Sequence, residues 1–271
     1  MKKILLLIFA FYTIANGYCQ TSEEFHKSGI KKAYILEDNK GAITDYTKAI
    51  ELNPNYEDAY RDRGFAKCDL KDYQGAIIDY TKAIELNPSS TITYEFRGKA
   101  KNDSGDYRGA ILDYNKAIEI DPKYSTAYYN RATVKINLQD YIGAIADFNK
   151  AIKIKTNYAA AYTNRGISKS RLEDYRGAIL DFTKVIALNP NDCGAYYNRA
   201  IIKDKLIDYN GAILDYTKAI ELDTNDEGGY YYCRGISKIK LKQKNNGCLD
   251  LSKAGELGFK GAYVAIKEHC N

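Results

Sequence analysis

The chain has 271 residues, of which 45% are hydrophobic and 28% charged, and its formal net charge at pH 7 is +5. Lysines and acids are interspersed along its whole length, so no basic stripe is present to track a nucleic acid backbone. Only His26 and His269 are available as imidazoles and no CxxC occurs, which leaves no zinc ribbon, thioredoxin-like motif or Ser/His/Asp set to build on.

The chain opens with Met1-Lys2-Lys3, followed by an apolar run from Ile4 to Tyr12 and by Gly17-Tyr18-Cys19. This predicts a secretory signal peptide over residues 1–19, cut after Cys19 or close by. The run is too short to span a membrane. A lipid anchor on Cys19 is disfavoured, because bacterial lipoprotein signals want a small residue just before the cysteine and usually a leucine two earlier. Tyr18 and Asn16 stand there instead. The expected product is an exported chain, whether periplasmic, cell-surface or secreted.

Beyond the leader, one line is written again and again. Gly-Ala-Ile recurs at Gly41, Gly75, Gly109, Gly143, Gly177 and Gly211, always 34 residues apart. A fixed period in this range marks a stacked repeat array. In the copy that starts at Gly211, Ala212, Ile213, Tyr216, Ala219 and Ile220 form one apolar helical stripe. All 4 prolines of the chain, Pro54, Pro88, Pro122 and Pro190, fall at one repeat position, where they stop the helix. Thr156 and Thr224 replace them in the other two copies.

The pattern predicts first helices near 23–36, 56–70, 90–104, 124–138, 158–172, 192–206 and 227–242. Second helices are predicted near 40–52, 73–86, 107–120, 141–154, 175–188, 209–222 and 246–257, with a closing helix near 260–270. Links as short as Leu70-Lys71-Asp72-Tyr73 require antiparallel neighbours. No strand or long linker is read, so residues 20–271 are expected to form one continuous array. The ends are irregular. The first repeat carries an extra residue, placed around Gly29-Ile30, and the seventh another near Gly228-Gly229, with Gly247 where alanine is usual.

With Ala59 taken as repeat position three, Tyr60 is position four, Gly64 eight, Leu70 fourteen, Tyr73 seventeen, Ala76 twenty, Tyr80 twenty-four, Ala83 twenty-seven and Pro88 thirty-two. In these small and large packing positions, residues 23–271 resemble the tetratricopeptide repeat (TPR) family. The resemblance implies an all-α, right-handed α-solenoid of about seven helix hairpins with a C-terminal capping helix. It also implies a concave groove, lined by the first helices, that commonly binds peptides.

Position seven, usually apolar in the family, is Arg63, Arg97, Arg131, Arg165, Arg199 and Arg234. Position twenty-three is Asp79, Asp113, Asp147, Asp181, Asp215 and Asp250. Opposite charges in the same six repeats suggest a bidentate pair across each hairpin or between repeats. Repeated packing is preferred to a row of arginines awaiting an acidic ligand.

Positions two, five, six, nine, twelve and thirteen share the face that the resemblance assigns to the groove. Asn130, Asn164 and Asn198 at position six would suit a peptide backbone, since an amide donates and accepts at once. Tyr129, Tyr197 and Tyr232 at position five join Ile167, Ile201 and Ile236 at position nine as apolar groove residues. Position thirteen runs Asp69, Asp103, Asn137, Arg171, Lys205 and Lys240, from acidic to basic. The expectation is a non-catalytic scaffold that binds a protein or peptide segment, acidic with an apolar anchor, in the later repeats. The alternative is a glycan or cell-wall module using the groove tyrosines. No cofactor, metal or nucleic acid is implied. Cys248 and Cys270 would lie at the same end of an antiparallel hairpin, where an exported protein could join them.

Overall fold

The computed structural model describes residues 21–223 and 228–270. The expected leader at 1–19, Cys19 and the weak stop at Thr224 lie outside the described residues. Within them there are fifteen α-helices and no strand. They are α1 (Ser22–Tyr34), α2 (Asn39–Leu52), α3 (Glu57–Asp69), α4 (Tyr73–Leu86), α5 (Thr91–Asp103), α6 (Tyr107–Ile120), α7 (Ser125–Asn137) and α8 (Tyr141–Ile154). They continue as α9 (Ala159–Arg171), α10 (Tyr175–Leu188), α11 (Cys193–Lys205), α12 (Tyr209–Leu222), α13 (Gly229–Lys240), α14 (Lys244–Glu256) and α15 (Gly261–His269). The fold class is the all-α repeat solenoid. No helix among the described residues is long and apolar enough to cross a membrane.

Two compact units divide after Pro122. The first stacks α1 to α6 as three hairpins. The second stacks α7 to α14 as four hairpins and closes with α15. Within each unit a helix packs on its hairpin partner and on the next hairpin in the chain.

Local chemistry explains the regular boundaries. The N-cap aspartates of α2, α4, α6, α8, α10 and α12 each accept the backbone N–H three residues on, as Asp72 accepts from Gly75 at 2.9 Å. That satisfies one donor that the helix cannot satisfy itself. The turn just before each cap needs a left-handed residue, supplied by Glu37, Lys71, Gly105, Gln139, Glu173, Ile207 and Lys242.

The core of each hairpin is small against large. Ala42, Ala49, Ala76, Ala83, Ala110, Ala117, Ala144, Ala151, Ala178, Ala212 and Ala219 are fully buried and let helices approach. Between them sit Tyr46, Tyr80, Tyr114, Phe148, Phe182, Tyr216 and Leu251. The first helix must yield to these rings: a Cβ on Gly64 would stand 2.8 Å from Cε1 of Tyr80. Burial pushes the hydroxyls of Tyr46, Tyr80, Tyr114 and Tyr216 well above the ordinary phenol range, so they stay neutral.

One sequence expectation needs correction. The extra residue of the first repeat does not lie at Gly29-Ile30. Gly29 is helical and faces Tyr46, as Gly64 faces Tyr80. The normal register resumes at Glu37, so the surplus residue falls in the turn at Ile35-Leu36, where Leu36 is 59% exposed. An insertion inside α1 would rotate the following residues by about 100° around the helix and break the apolar stripe, whereas a turn absorbs it. At the other end, Gly228 adopts φ 89° at the start of α13, and a Cβ there would meet the Ala254 carbonyl oxygen at 2.6 Å. No other residue type fits that position.

Ile207 holds φ 65° at a site 72% exposed, where Gly105 serves in an earlier repeat. A β-branched residue in that region costs about 1–2 kcal/mol and gains little from burial. Ile207→Gly should therefore raise stability by about 1 kcal/mol in urea unfolding. An unchanged or lowered midpoint would show that the turn is unstrained.

Candidate functional site

The periodic charges are resolved first, because they decide which groove residues remain for a ligand. Arg63 on α3 donates from Nε to Asp79 Oδ2 at 2.9 Å and from Nη2 to Asp79 Oδ1 at 2.7 Å. The same fork joins Arg97 to Asp113, Arg131 to Asp147, Arg165 to Asp181, Arg199 to Asp215 and Arg234 to Asp250. Each carboxylate is also held by a lysine one turn after the arginine: Lys67, Lys101, Lys135, Lys169, Lys203 and Lys238. At Arg63, Arg97, Arg165, Arg199 and Arg234 the remaining nitrogen reaches back to the preceding hairpin, at Thr47, Thr81, Asn149, Thr183 and Thr217. The guanidinium carbon lies 5.2–5.7 Å from the ring of the tyrosine three residues earlier in every one of the six. The arginine row is packing.

What is left on the first-helix face gathers into a pocket in each unit. In the second unit, Ile167, Ser170 and Arg171 of α9, Asn198, Ile201, Ile202 and Lys205 of α11, and Phe182 of α10 enclose about 190 Å³. Five residues singled out from the sequence, Ile167, Arg171, Asn198, Ile201 and Lys205, are thus brought together. Ile167 and Ile201 rest on the buried cluster of Ala178, Phe182 and Ile202 and keep one side open. Arg171 and Lys205 are exposed at the rim, and the Lys205 ammonium stands 5.2 Å from the Tyr175 ring. Asn198 spends Nδ2 on the Gly194 carbonyl at 2.8 Å.

The other predicted residues lie elsewhere. Asn164 donates to the Tyr129 hydroxyl at 3.1 Å, and Tyr129 stacks on Tyr158 at 5.0 Å. Tyr197 packs against Tyr216 and Tyr230. Tyr232 meets Phe259, in the link before α15, at 4.7 Å. These three tyrosines pack on separate neighbours. Asn130 lies on α7, and Ile236 and Lys240 on α13, where Lys240 stands 5.5 Å from the Tyr209 ring. Cys248 and Cys270 are joined with Cα atoms 5.8 Å apart, and Cys68, Cys193 and Cys233 are not disulfide-bonded. Burial pushes the Cys68 thiol above its ordinary range, which works against a reactive thiolate.

Sequence reasoning missed the lysine that completes each carboxylate cluster, although it recurs at the same period. The aromatic pocket of the first unit was missed too. Phe65, Cys68, Asp69, Tyr73, Tyr80, Glu95, Phe96, Lys99 and Asp103 line about 260 Å³ there.

Family profiles described as "TPR repeat" match residues 32–68 and 98–138, and profiles described as "Tetratricopeptide repeat" match 57–90, 125–158, 159–192 and 194–226. The chain belongs to the tetratricopeptide repeat family. Several solved structures are similar. A TPR protein from Parabacteroides merdae is 23% identical over 92% of this chain and 99% of its own, with a TM-score of 0.65. The C-terminal part of a TPR repeat-containing protein from Cytophaga hutchinsonii is 20% identical over 87% of this chain and 98% of its own, with a TM-score of 0.73. YrrB, described as a TPR protein with an unusual peptide-binding site, is 22% identical over 66% of this chain and 92% of its own, with a TM-score of 0.56. A comparison with curated protein sequences gives no match. TPR proteins generally act as non-catalytic scaffolds for protein or peptide partners, and this TPR chain shares their fold.

The Arg–Asp–Lys cluster makes a direct prediction. Asp181 keeps a side chain only 3% exposed, so Arg165→Met should leave it to Lys169 alone and cost about 2 kcal/mol. Arg165→Met and Lys169→Met with Asp181→Leu should recover more than half of that loss. Urea unfolding of both variants is the test, and a single variant as stable as the parent would overturn the structural role.

Proposed function

We propose that this protein is a non-catalytic scaffold that holds an extended, acidic segment of a partner in the pocket between α9 and α11. The observation that carries the reading is the joint lining by Ile167, Ile201, Arg171, Lys205 and Asn198. The isoleucines offer an open apolar seat to a Leu, Ile or Val side chain. The two cations at the rim favour a carboxylate beside that anchor and fix the direction of the segment. Asn198 keeps its carbonyl oxygen for a backbone N–H. Exposed charges contribute little affinity individually, so the apolar seat supplies most of the hold and salt weakens the rest.

Fluorescence anisotropy with a labelled peptide alternating Glu and Leu tests this. In low salt Ile201→Asp should weaken binding about tenfold and Lys205→Glu about threefold, and Asp69→Lys should leave it unchanged. Equal losses from all three variants, or from none, would defeat the reading.

The reading extends to location. We infer export, with cleavage beside Cys19, from the basic start and the apolar run before it; the Cys248–Cys270 bridge supports the inference, since such bonds persist in oxidising compartments. Mass spectrometry of the chain made by its native host should find an amino terminus at or near Gln20 and a peptide crosslinked through Cys248 and Cys270. An intact leader or alkylatable Cys248 would count against it.

A further inference from the structure

The pocket of the first unit is the pocket of the second moved back by three repeats. Phe65 corresponds to Ile167, Cys68 to Ser170, Tyr80 to Phe182, Phe96 to Asn198 and Lys99 to Ile201, each 102 residues apart. At the two rim positions the charge is reversed, with Asp69 against Arg171 and Asp103 against Lys205. The hairpins that frame the two pockets carry the same Arg–Asp–Lys clusters, so the fold itself accepts either sign at the rim.

We propose that the first unit's pocket binds a cationic side chain, a lysine or arginine of an extended segment. The proposal shares with the function above the idea that the first-helix face docks partners, but it rests on a different pocket and the opposite charge. The walls are aromatic: Phe65 and Phe96 have ring centroids 5.9 Å apart, tilted by 51°, and Phe96 lies 6.0 Å from Tyr80. Tyr34 extends the row by stacking on Phe65 at 6.0 Å. Ring faces attract a cation and also cover the methylenes that carry it. Two exposed carboxylates, Asp69 and Asp103, share the lining with one ammonium, Lys99, so an incoming cation meets more negative than positive charge at the rim.

Asp69 and Asp103 are exposed at the rim. Asp69 accepts from Asn39 Nδ2 at 3.5 Å and Asp103 from Asn102 Nδ2 at 3.0 Å. A carboxylate has about four acceptor sites, so each retains room for an ammonium or guanidinium donor. Phe65, Tyr73, Tyr80 and Phe96 line the pocket beside the carboxylates, which suits an organic cation on an apolar stem rather than a bare metal ion.

The test is anisotropy of the full chain with a dye-labelled octapeptide alternating Lys and Ala, blocked at both ends, run beside the alternating Glu and Leu peptide. Asp69→Asn with Asp103→Asn changes two exposed groups and should weaken the lysine peptide about tenfold. Phe96→Leu should weaken it several-fold without altering its charge. If thermal melting shows that Phe96→Leu has lost its fold, Phe65→Leu takes its place. Arg171→Gln with Lys205→Gln should leave the lysine peptide unaffected. The proposal falls if the lysine peptide does not bind in low salt, or if the ring variants bind it as well as the parent, which would mean general attraction to surface acids. It also falls if the Arg171 and Lys205 pair causes the same loss as the aspartate pair. Failure of the glutamate peptide alone would overturn the second unit's role and leave this one standing.

Discussion

A buried carboxylate held by a guanidinium sets the geometry of six of the seven hairpins. The aspartate projects from the second helix into a place almost closed to water, where an unpaired charge is costly. The arginine answers with two parallel N–H donors, which fixes both the distance and the rotation between the paired helices. At Arg63, Arg97, Arg165, Arg199 and Arg234 its third nitrogen reaches Thr or Asn of the preceding hairpin, so one side chain ties intra-hairpin and inter-hairpin packing together. In the first repeat Ser28 stands where the arginine would be, and Asp45 is held by Ser28 at 2.6 Å and Lys32 at 2.7 Å.

This cluster explains how the repeats divide their residues. The Arg–Asp–Lys cluster recurs in six copies, because each hairpin solves the same packing problem, while the Tyr80 position keeps a large side chain. Positions six, nine and thirteen of the first helix change more freely. They hold Phe96, Lys99 and Asp103 in one repeat and Asn198, Ile201 and Lys205 in another, within one unchanged backbone frame. Variation inside the array therefore falls on a face that the repeated packing constrains less.

The same division explains what could be read from sequence. Helix bounds followed from the 34-residue period, and the second helices at 73–86, 107–120, 141–154, 175–188 and 209–222 match to the residue, because an aspartate cap and a helix stop recur with them. Periodic Arg and Asp disclosed a pairing by their equal number. The insertion in the first repeat was misplaced, since a period reports that a residue has been added but not where the chain relaxes to admit it. The pocket of the second unit was legible as a list of face positions, while Asn164 and the tyrosines left that list for contacts that only coordinates reveal. Face periodicity places a side chain on a surface; whether a neighbour already occupies its hydrogen bonds is decided in three dimensions.

Among the described residues the seventh hairpin is followed by a single helix, and an outer apolar surface that no further hairpin covers needs a cover. Here α15 supplies it, with Ala262 and Ala265 buried and the Tyr263 hydroxyl donating to the Gly255 carbonyl at 3.1 Å. Nine residues of helix are marginal alone, because nucleation costs more than so few hydrogen bonds return. The Cys248–Cys270 bond closes the loop covalently and lowers the entropy that α15 would gain by leaving. Phe259, in the link before α15, then meets Tyr232 of α13 at 4.7 Å, so the segment that leads into α15 also covers part of the first-helix face of the last hairpin.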